Sequence, residues 1–411
     1  MPLGGKLKEV LMAQQRVFIL GAVRTPIGSI GGGLAALQAE DLATYSIDAV
    51  LERTGIPASS IDYTCMGWVM QDPRSPNVAR NAALRAGIPH TSAATTFHEN
   101  CASGGAAVHS IARRIALGEI GVGIGGGVES MSNVARYLFE GRNRGQLYGD
   151  MTLVDGLFGA LTDTHVEKGE LMGLLTERLV ERYGVTREEQ DEIAWRSHHN
   201  ALDAWDQGYF DDYVIPVSVP QRRKDPRIVD RDEGPRPVTR EELAGAKPYF
   251  KRDGGTITTI NASSLNDAAA ALVLAGEEHV ERLGVEPMAE LKAFWNIGVE
   301  RAYMGEGAFK VVPPLLKRAG LEMSQIDLFE LNEAFGAVLG AAFHDLPDLP
   351  QDRTNLWGSG ISLGHPVGCT GARQIVDMVH QLHRRDGQLG LVSRCVGGGI
   401  GSGEIIERVG G

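Results

Sequence analysis

At 411 residues the chain has room for two or three domains of roughly 150 residues and a sizeable core. With 43% apolar and 22% charged residues, its composition is that of a globular protein and excludes wholesale disorder. A net charge of −12 argues against nucleic acid or an anionic membrane as the main partner, though not against a local basic pocket for a phosphate-bearing ligand.

From the N-terminus, MPLGGKLKEVLMAQQ has neither a secretory h-region nor an Arg/Ser-rich transit pattern. The apolar run VFILGAV, closed by RTP, predicts a buried strand. AEDLATYSIDAVLERTG (39–55) has helical apolar spacing with Gly55 as its stop; IDYTCMGWVM (61–70) is strand-like and NVARNAALRAG (77–87) helical. Strands alternating with helices predict an α/β architecture. SGGAAVHSIARRIALGE (103–119) follows, a small-residue helix leading into the glycine-rich strand GVGIGGGVES (121–130). Gly121, Gly123 and Gly126 match G-x-G-x-x-G, but they fall inside the strand and open no helix, so they do not predict a dinucleotide site.

From Val134 to about Ile260 the character changes. Long charged helices such as TREEQDEIAWRSHHNALDAWDQG (186–208) and the polar QRRKDPRIVDRDEGPRP predict an inserted, more solvated subdomain. Afterwards AAAALVLAG (268–276), EPMAELKAFWNIG and QLGLVSRCVGG restore the buried-strand pattern, and the longest apolar runs are about half the ~20 residues of a membrane span. GCTGARQIVDMVHQLHRR (368–385) leading to LVSRCVGGGIGSG (391–403) echoes the helix and glycine-rich strand of the first half, as two copies of one α/β unit would.

Four short segments carry reactive groups. Cys101 precedes a helix whose first turn holds only small residues, where the dipole and free N–H groups favour thiolate; that is worth ~0.3–1 kcal/mol, so a nearby base is also needed. Otherwise it is a small buried hydrophobe, as most free cysteines are. His365, in SLGHPVGCTGAR, sits before a proline at a loop-to-helix junction, well placed to take a proton from a cysteine. Cys369, one turn on, reads as packing. Asn332 and Glu333 interrupt the apolar run LFELNEAFGAV: either a helix N-cap with acidic first-turn charge, or a fixed amide that positions a water or an oxyanion. Cys395 ends a strand ahead of three glycines that allow close backbone approach. The cysteines, Cys65 included, show no C-x-x-C or metal-type spacing, so no metal is expected, and a reducing cytosol fits.

Taken together, CASGG, NEAF, GHPVGCTGAR and CVGGGIG, in that order, resemble the thiolase family, with VRTPIG, GGGVESMS, TREEQD, NASSLNDAAA and LLKRAGL agreeing between them. The resemblance covers nearly all of the chain after about residue 16. It implies a five-layered αβαβα fold from two duplicated βαβαβαββ halves: residues 1–133 with 261–285, and 286–411, with an inserted coenzyme A-binding loop domain at 134–260. It further implies Cys101 as the acylated nucleophile, His365 as its activator and Cys395 as the acid/base for the acetyl α-proton. Asn332, through a water, and His365 would form one oxyanion hole; the backbone N–H groups of Cys101 and Gly397 would form the other. Coenzyme A would be a substrate, with no tightly bound cofactor: Ser263 against the pantetheine, Met172, Phe250 and Phe335 along its channel, Arg236 near the nucleotide. The resemblance implies 3-oxoacyl-CoA cleavage or the reverse condensation in a cytoplasmic homodimer or homotetramer, with room for a β-oxidation partner subunit. Leu171 and NLWGSG (355–360) depart from the acetoacetyl-type biosynthetic branch, and NEAF departs from the trifunctional-type degradative branch. Two other readings are a 3-oxoacyl synthase, which would need a second histidine in place of Asn332, and a non-catalytic acyl-CoA or lipid carrier.

Overall fold

The computed structural model describes residues 15–139, 150–164 and 169–410. The first half runs β1 (Val17–Arg24), α1 (Ala39–Thr54), β2 (Tyr63–Gly67), α2 (Val78–Arg85), β3 (Ala93–Phe97), α3 (Ser103–Ala116) and β4 (Val122–Ser130). It closes with β5 (Asn266–Gly276), after a long excursion that holds α4 (Met172–Tyr183) and α5 (Arg187–Asp206). The second half runs β6 (Ala289–Gly298), α6 (Val312–Ala319), β7 (Leu328–Leu331), α7 (Gly336–Asp345), α8 (Val367–Arg384), β8 (Leu389–Val396) and β9 (Ile400–Arg408).

These strands line up as β7–β8–β9–β6–β1–β5–β4–β2–β3. The order β3–β2–β4–β5–β1 of the first half recurs in the second as a bridge at Thr354, then β7–β8–β9–β6, with the same parallel and antiparallel senses. The halves join at β1 and β6 through only two residue pairs, Phe18 with Glu290 and Ile19 with Ala289. Helices α3 and α8 lie between the two half-sheets, α1 and α2 cover the first from outside, and α6 covers the second, which gives five layers.

Each element follows from its sequence. In β5, Ala268, Ala270, Leu272 and Leu274 face the central helices while Ala269, Ala271, Val273 and Ala275 face the outer ones. A strand buried on both faces needs an unbroken apolar run rather than an alternating one. Helix α1 ends at Gly55, whose φ of 67° is the left-handed stop that a residue without Cβ adopts freely. The β4 glycines serve packing. A Cβ at Gly126 would lie 2.3 Å from the Ala270 carbonyl oxygen, and one at Gly127 2.3 Å from that of Gly368. Glycine at 127 lets α3 and α8 settle this close to the strand, and glycine at 126 leaves room for the β5 backbone.

The excursion between β4 and β5 is woven into the whole molecule. Leu175, Leu179, Ile193 and Ala194 join the outer core of the second half, and Trp205, Phe210 and Tyr213 enter the central core. The stretch 217–229 forms a hairpin, Val217–Gln221 with Lys224–Val229, whose valines pack on the outer core of the first half. Buried charge ties the parts together: Arg24 of β1 pairs with Asp232 from the excursion at 2.8 Å and with Asp377 of α8 at 2.9 Å. Among the described residues, no helix is long and apolar enough to cross a membrane.

Candidate active site

Cys101 lies just ahead of α3, in a loop whose preceding residue, Asn100, has a φ of 45°. A non-glycine residue in that region is held by its surroundings. Asn100 Nδ2 donates to the Gly397 carbonyl at 2.8 Å, and Ser103 Oγ donates to the Asn100 carbonyl at 2.7 Å. The loop that presents Cys101 is thereby fastened to the glycine loop after β8.

Cys395, near the end of β8, and His365, just before α8, come from the other half. Cys101, His365, Cys395 and Gly397 all line one cavity of about 160 Å³. The same wall holds Ser263, Met172, Phe250 and Phe335, with Val69, Asn100, Met131, Leu161, Leu171 and Val367 among the rest. Phe250 and Phe335 meet edge to face at 6.0 Å, and Ser263 N–H donates to the Ala334 carbonyl. The lining is apolar except at the Cys101 end and beside Ser263 and Ser264.

His365 is fixed by two hydrogen bonds. Its backbone N–H donates to Asn266 Oδ1 at 2.9 Å, and its Nδ1 lies 2.7 Å from Thr370 Oγ1, with the Asn332 amide 3.4 Å away. The Thr370 hydroxyl donates to the Pro366 carbonyl at 3.0 Å, which leaves its oxygen to accept from a protonated Nδ1. That tautomer keeps Nε2 unprotonated, the form a general base needs.

Burial dominates the electrostatics. It pushes the Cys101 thiol up to about 11, against the backbone N–H of Gly397 and its own N–H, which pull the other way. Burial also raises the Cys395 thiol, with the sulfur of Cys101 adding to the effect, and lowers His365 to about 3, helped by Arg373. The resting pair is therefore a neutral thiol beside a neutral imidazole. Desolvation works against the thiolate expected from the helix dipole and outweighs the pull of the nearby N–H groups.

Two expected residues stand off the wall. Asn332 is wholly buried behind His365 rather than on the cavity surface. It follows β7 and precedes the Phe335 cap of α7, so it ends a parallel strand and is not a helix N-cap. Arg236 is exposed, pairs with Glu242 at 2.7 Å and does not reach the cavity. Cys369 is buried packing between the half-sheets. Asn100 and Thr370 went unsingled in the sequence, although each adjoins or follows a flagged residue by one turn or less. Among the described residues, no cluster of His, Cys, Asp or Glu could hold a metal ion.

The family model for the thiolase N-terminal domain matches residues 17–278, and that for the thiolase C-terminal domain matches 285–408. This chain belongs to the thiolase family. As a thiolase it is an acyltransferase. It is 40% identical over 400 residues to an acetyl-CoA acetyltransferase of Thiocystis violacea, covering 96% of this chain and 99% of that one. A probable acetyl-CoA acyltransferase of Staphylococcus aureus is 39% identical over 395 residues, with 96% and 99% covered. Among solved structures, the Bacillus anthracis acetyl-CoA acetyltransferase superposes with a TM-score of 0.93 at 40% identity, covering 97% of this thiolase and all (100%) of that chain. The human mitochondrial 3-ketoacyl-CoA thiolase in complex with CoA does so at 0.92 and 34%, with 97% and 99% covered.

Proposed function

We propose that this thiolase cleaves 3-oxoacyl-CoA with coenzyme A, giving acetyl-CoA and a shortened acyl-CoA, through an acyl group carried on Cys101. The observation that carries this reading is the meeting of Cys101, Cys395 and His365, two sulfurs and an imidazole from opposite halves, at one end of an apolar channel. In the cleavage direction, Cys101 Sγ attacks the ketone carbon as His365 Nε2 takes its proton. The alkoxide collapses to the Cys101 thioester, and the bond between the α- and β-carbons breaks with its electrons in the acetyl-CoA enolate. Cys395 donates the proton that quenches the enolate, then takes one from incoming coenzyme A. The coenzyme A sulfur displaces the acyl group, and Cys101 recovers its proton from His365. The condensation reverses these steps, starting from acetyl-CoA.

Each oxyanion donor is worth about 2.7–4 kcal/mol of barrier. We assign one pair to the backbone N–H groups of Cys101 and Gly397, which pull the Cys101 thiol down against burial. For the other, Asn332 Oδ1 is buried without a hydrogen-bond partner among the described residues, free to orient a water beside His365. The hydrophobic wall, with Leu171, Leu161 and Met131, supports 3-oxoacyl chains over a strictly two-carbon unit. We assign Ser263, Met172, Phe250 and Phe335 to the pantetheine channel, residues 134–260 to the coenzyme-binding part, and Arg236 to the nucleotide end outside the cavity. Strand β3 is paired on one side only, an edge through which a homodimer would form, and four free thiols fit a reducing cytoplasm.

Incubation with acetyl-CoA followed by mass spectrometry should place one acetyl adduct on Cys101; an adduct elsewhere refutes the assignment. Cys395→Ala should still acylate yet lose carbon–carbon bond cleavage. Rates with 3-oxoacyl-CoA esters of graded length then define the acyl range.

A further inference from the structure

Glu129, near the end of β4, is a buried carboxylate that the chemistry above leaves unused. It is 0% exposed, and among the described residues its hydrogen bonds come from backbone N–H groups. Its Oε2 accepts from the N–H of Val69 at 3.3 Å and of Gly368 at 3.0 Å, and its Oε1 accepts from the N–H of Met70 at 3.2 Å. Burial raises it to about 7 in spite of those three donors. Burying a carboxyl group with no cation beside it is unfavourable, so what it holds must matter to the fold or to the site.

What it holds is specific. Helix α8 begins after Pro366, which provides no side-chain cap. The Gly368 N–H is one of the first-turn donors that such a helix leaves unsatisfied. Glu129 caps it from 239 residues away in sequence, its Oε2 accepting from that N–H. His365 lies three residues before that capped turn. The same carboxylate grips Val69 and Met70, and Val69 shares the cavity wall with Val367 and Cys101. A Cβ at position 368 would sit 2.9 Å from Glu129 Oε2, so glycine there keeps the carboxylate in reach. The titratable groups around it are Asp267 on β5, Cys101 ahead of α3 and Cys369 on α8.

We propose that Glu129 is a positioning residue: by capping α8 and clamping the Val69–Met70 wall with one carboxylate, it fixes His365 against Cys101. This rests on reading Cys101 and His365 as nucleophile and base. It assigns Glu129 no contact with substrate.

The test compares Glu129→Gln and Glu129→Ala in the full-length protein, each checked for folding by circular dichroism. Steady-state kcat and KM are measured together with the rate at which iodoacetamide alkylates Cys101. Glutamine keeps the volume and one acceptor oxygen but turns an amino group on the Met70 N–H. The expected fall in kcat is about tenfold for Gln and about a hundredfold for Ala. KM should stay within about twofold, and Cys101 alkylation should slow in the same order. Gln with wild-type kcat and alkylation overturns the proposal. So does a loss that vanishes when rates are expressed per folded molecule, or a Gln variant that does not fold, since either makes Glu129 a stability residue. Acetylation of Cys101 in the unsubstituted protein separates the two levels. If it is absent, the functional reading fails; if it is present while Gln behaves as wild type, only the role of Glu129 fails.

Discussion

Gly127 in β4 should be intolerant of a single added methyl group. An alanine Cβ there would stand 2.3 Å from the Gly368 carbonyl oxygen, 2.9 Å from Cys369 Cα and 3.0 Å from Gly104 Cα. All three atoms are backbone, so no side chain can swing away. Ordinary contact begins at 3.4 Å, so α3 and α8 must shift from the strand by about 1 Å. Overpacking of this kind costs about 1–3 kcal/mol, which a domain stable by about 5–15 kcal/mol survives. Catalysis is less forgiving. Cys101 precedes one displaced helix and His365 the other, and a misplacement of about 1 Å costs on the order of a hundredfold in rate. Gly127→Ala should therefore fold, with a lowered melting temperature, and acylate Cys101 about a hundredfold more slowly in a timed mass-spectrometric assay with acetyl-CoA. Gly159→Ala, with open space around its Cβ position, is the control. Wild-type acylation by Gly127→Ala would show that helix spacing does not set the geometry of the site.

Because burial holds the Cys101 thiol near 11, its alkylation by iodoacetamide should keep accelerating well above pH 9; a plateau near pH 7 would instead reveal a thiolate–imidazolium pair at rest. The folded thiol titrates above the unfolded value of about 8.5, so this residue's contribution is full below that pH and fades toward 11; the other buried thiols are raised too, so Cys101→Ala should lessen the alkaline loss seen in urea titrations, and an unchanged loss would refute the assignment. Arg24→Met should cost about 3–5 kcal/mol, because it leaves the buried carboxylate of Asp232 without its guanidinium and Asp377 with Arg373 alone; a urea-derived loss under about 1 kcal/mol would refute that.

Local signals made much of the fold legible. The run AAAALVLAG predicts a strand buried on both faces, the Gly55 stop marks the end of α1, and the repeated helix and glycine-rich strand mark α3–β4 and α8–β8 as matching parts. The proposed reactive residues stand out in the sequence because their neighbours are small or conformationally special. What stayed hidden depends on partners far along the chain. Glu129 looks like any strand glutamate until β4 meets α8, and Asn332 resembles a cap until β7 is seen to end beside it. Asn355 is similar: its side chain bonds both backbone groups of Leu331 and the carboxylate of Glu333, contacts made across more than twenty residues. The polar composition of 134–260 predicts a solvated subdomain, but its scattered Ile193, Trp205, Phe210 and Val217 enter the cores. Averaged polarity conceals a few well-placed apolar side chains.

On the proposed assignment, the division of the reactive groups between the two repeats governs when the catalyst comes into being. A growing polypeptide delivers Cys101 long before His365 has been synthesised. Until α8 docks beside α3, Cys101 is an ordinary cysteine with no base and no enclosing wall. Competence is thus switched on by the last stage of assembly, and neither repeat expressed alone can inherit it.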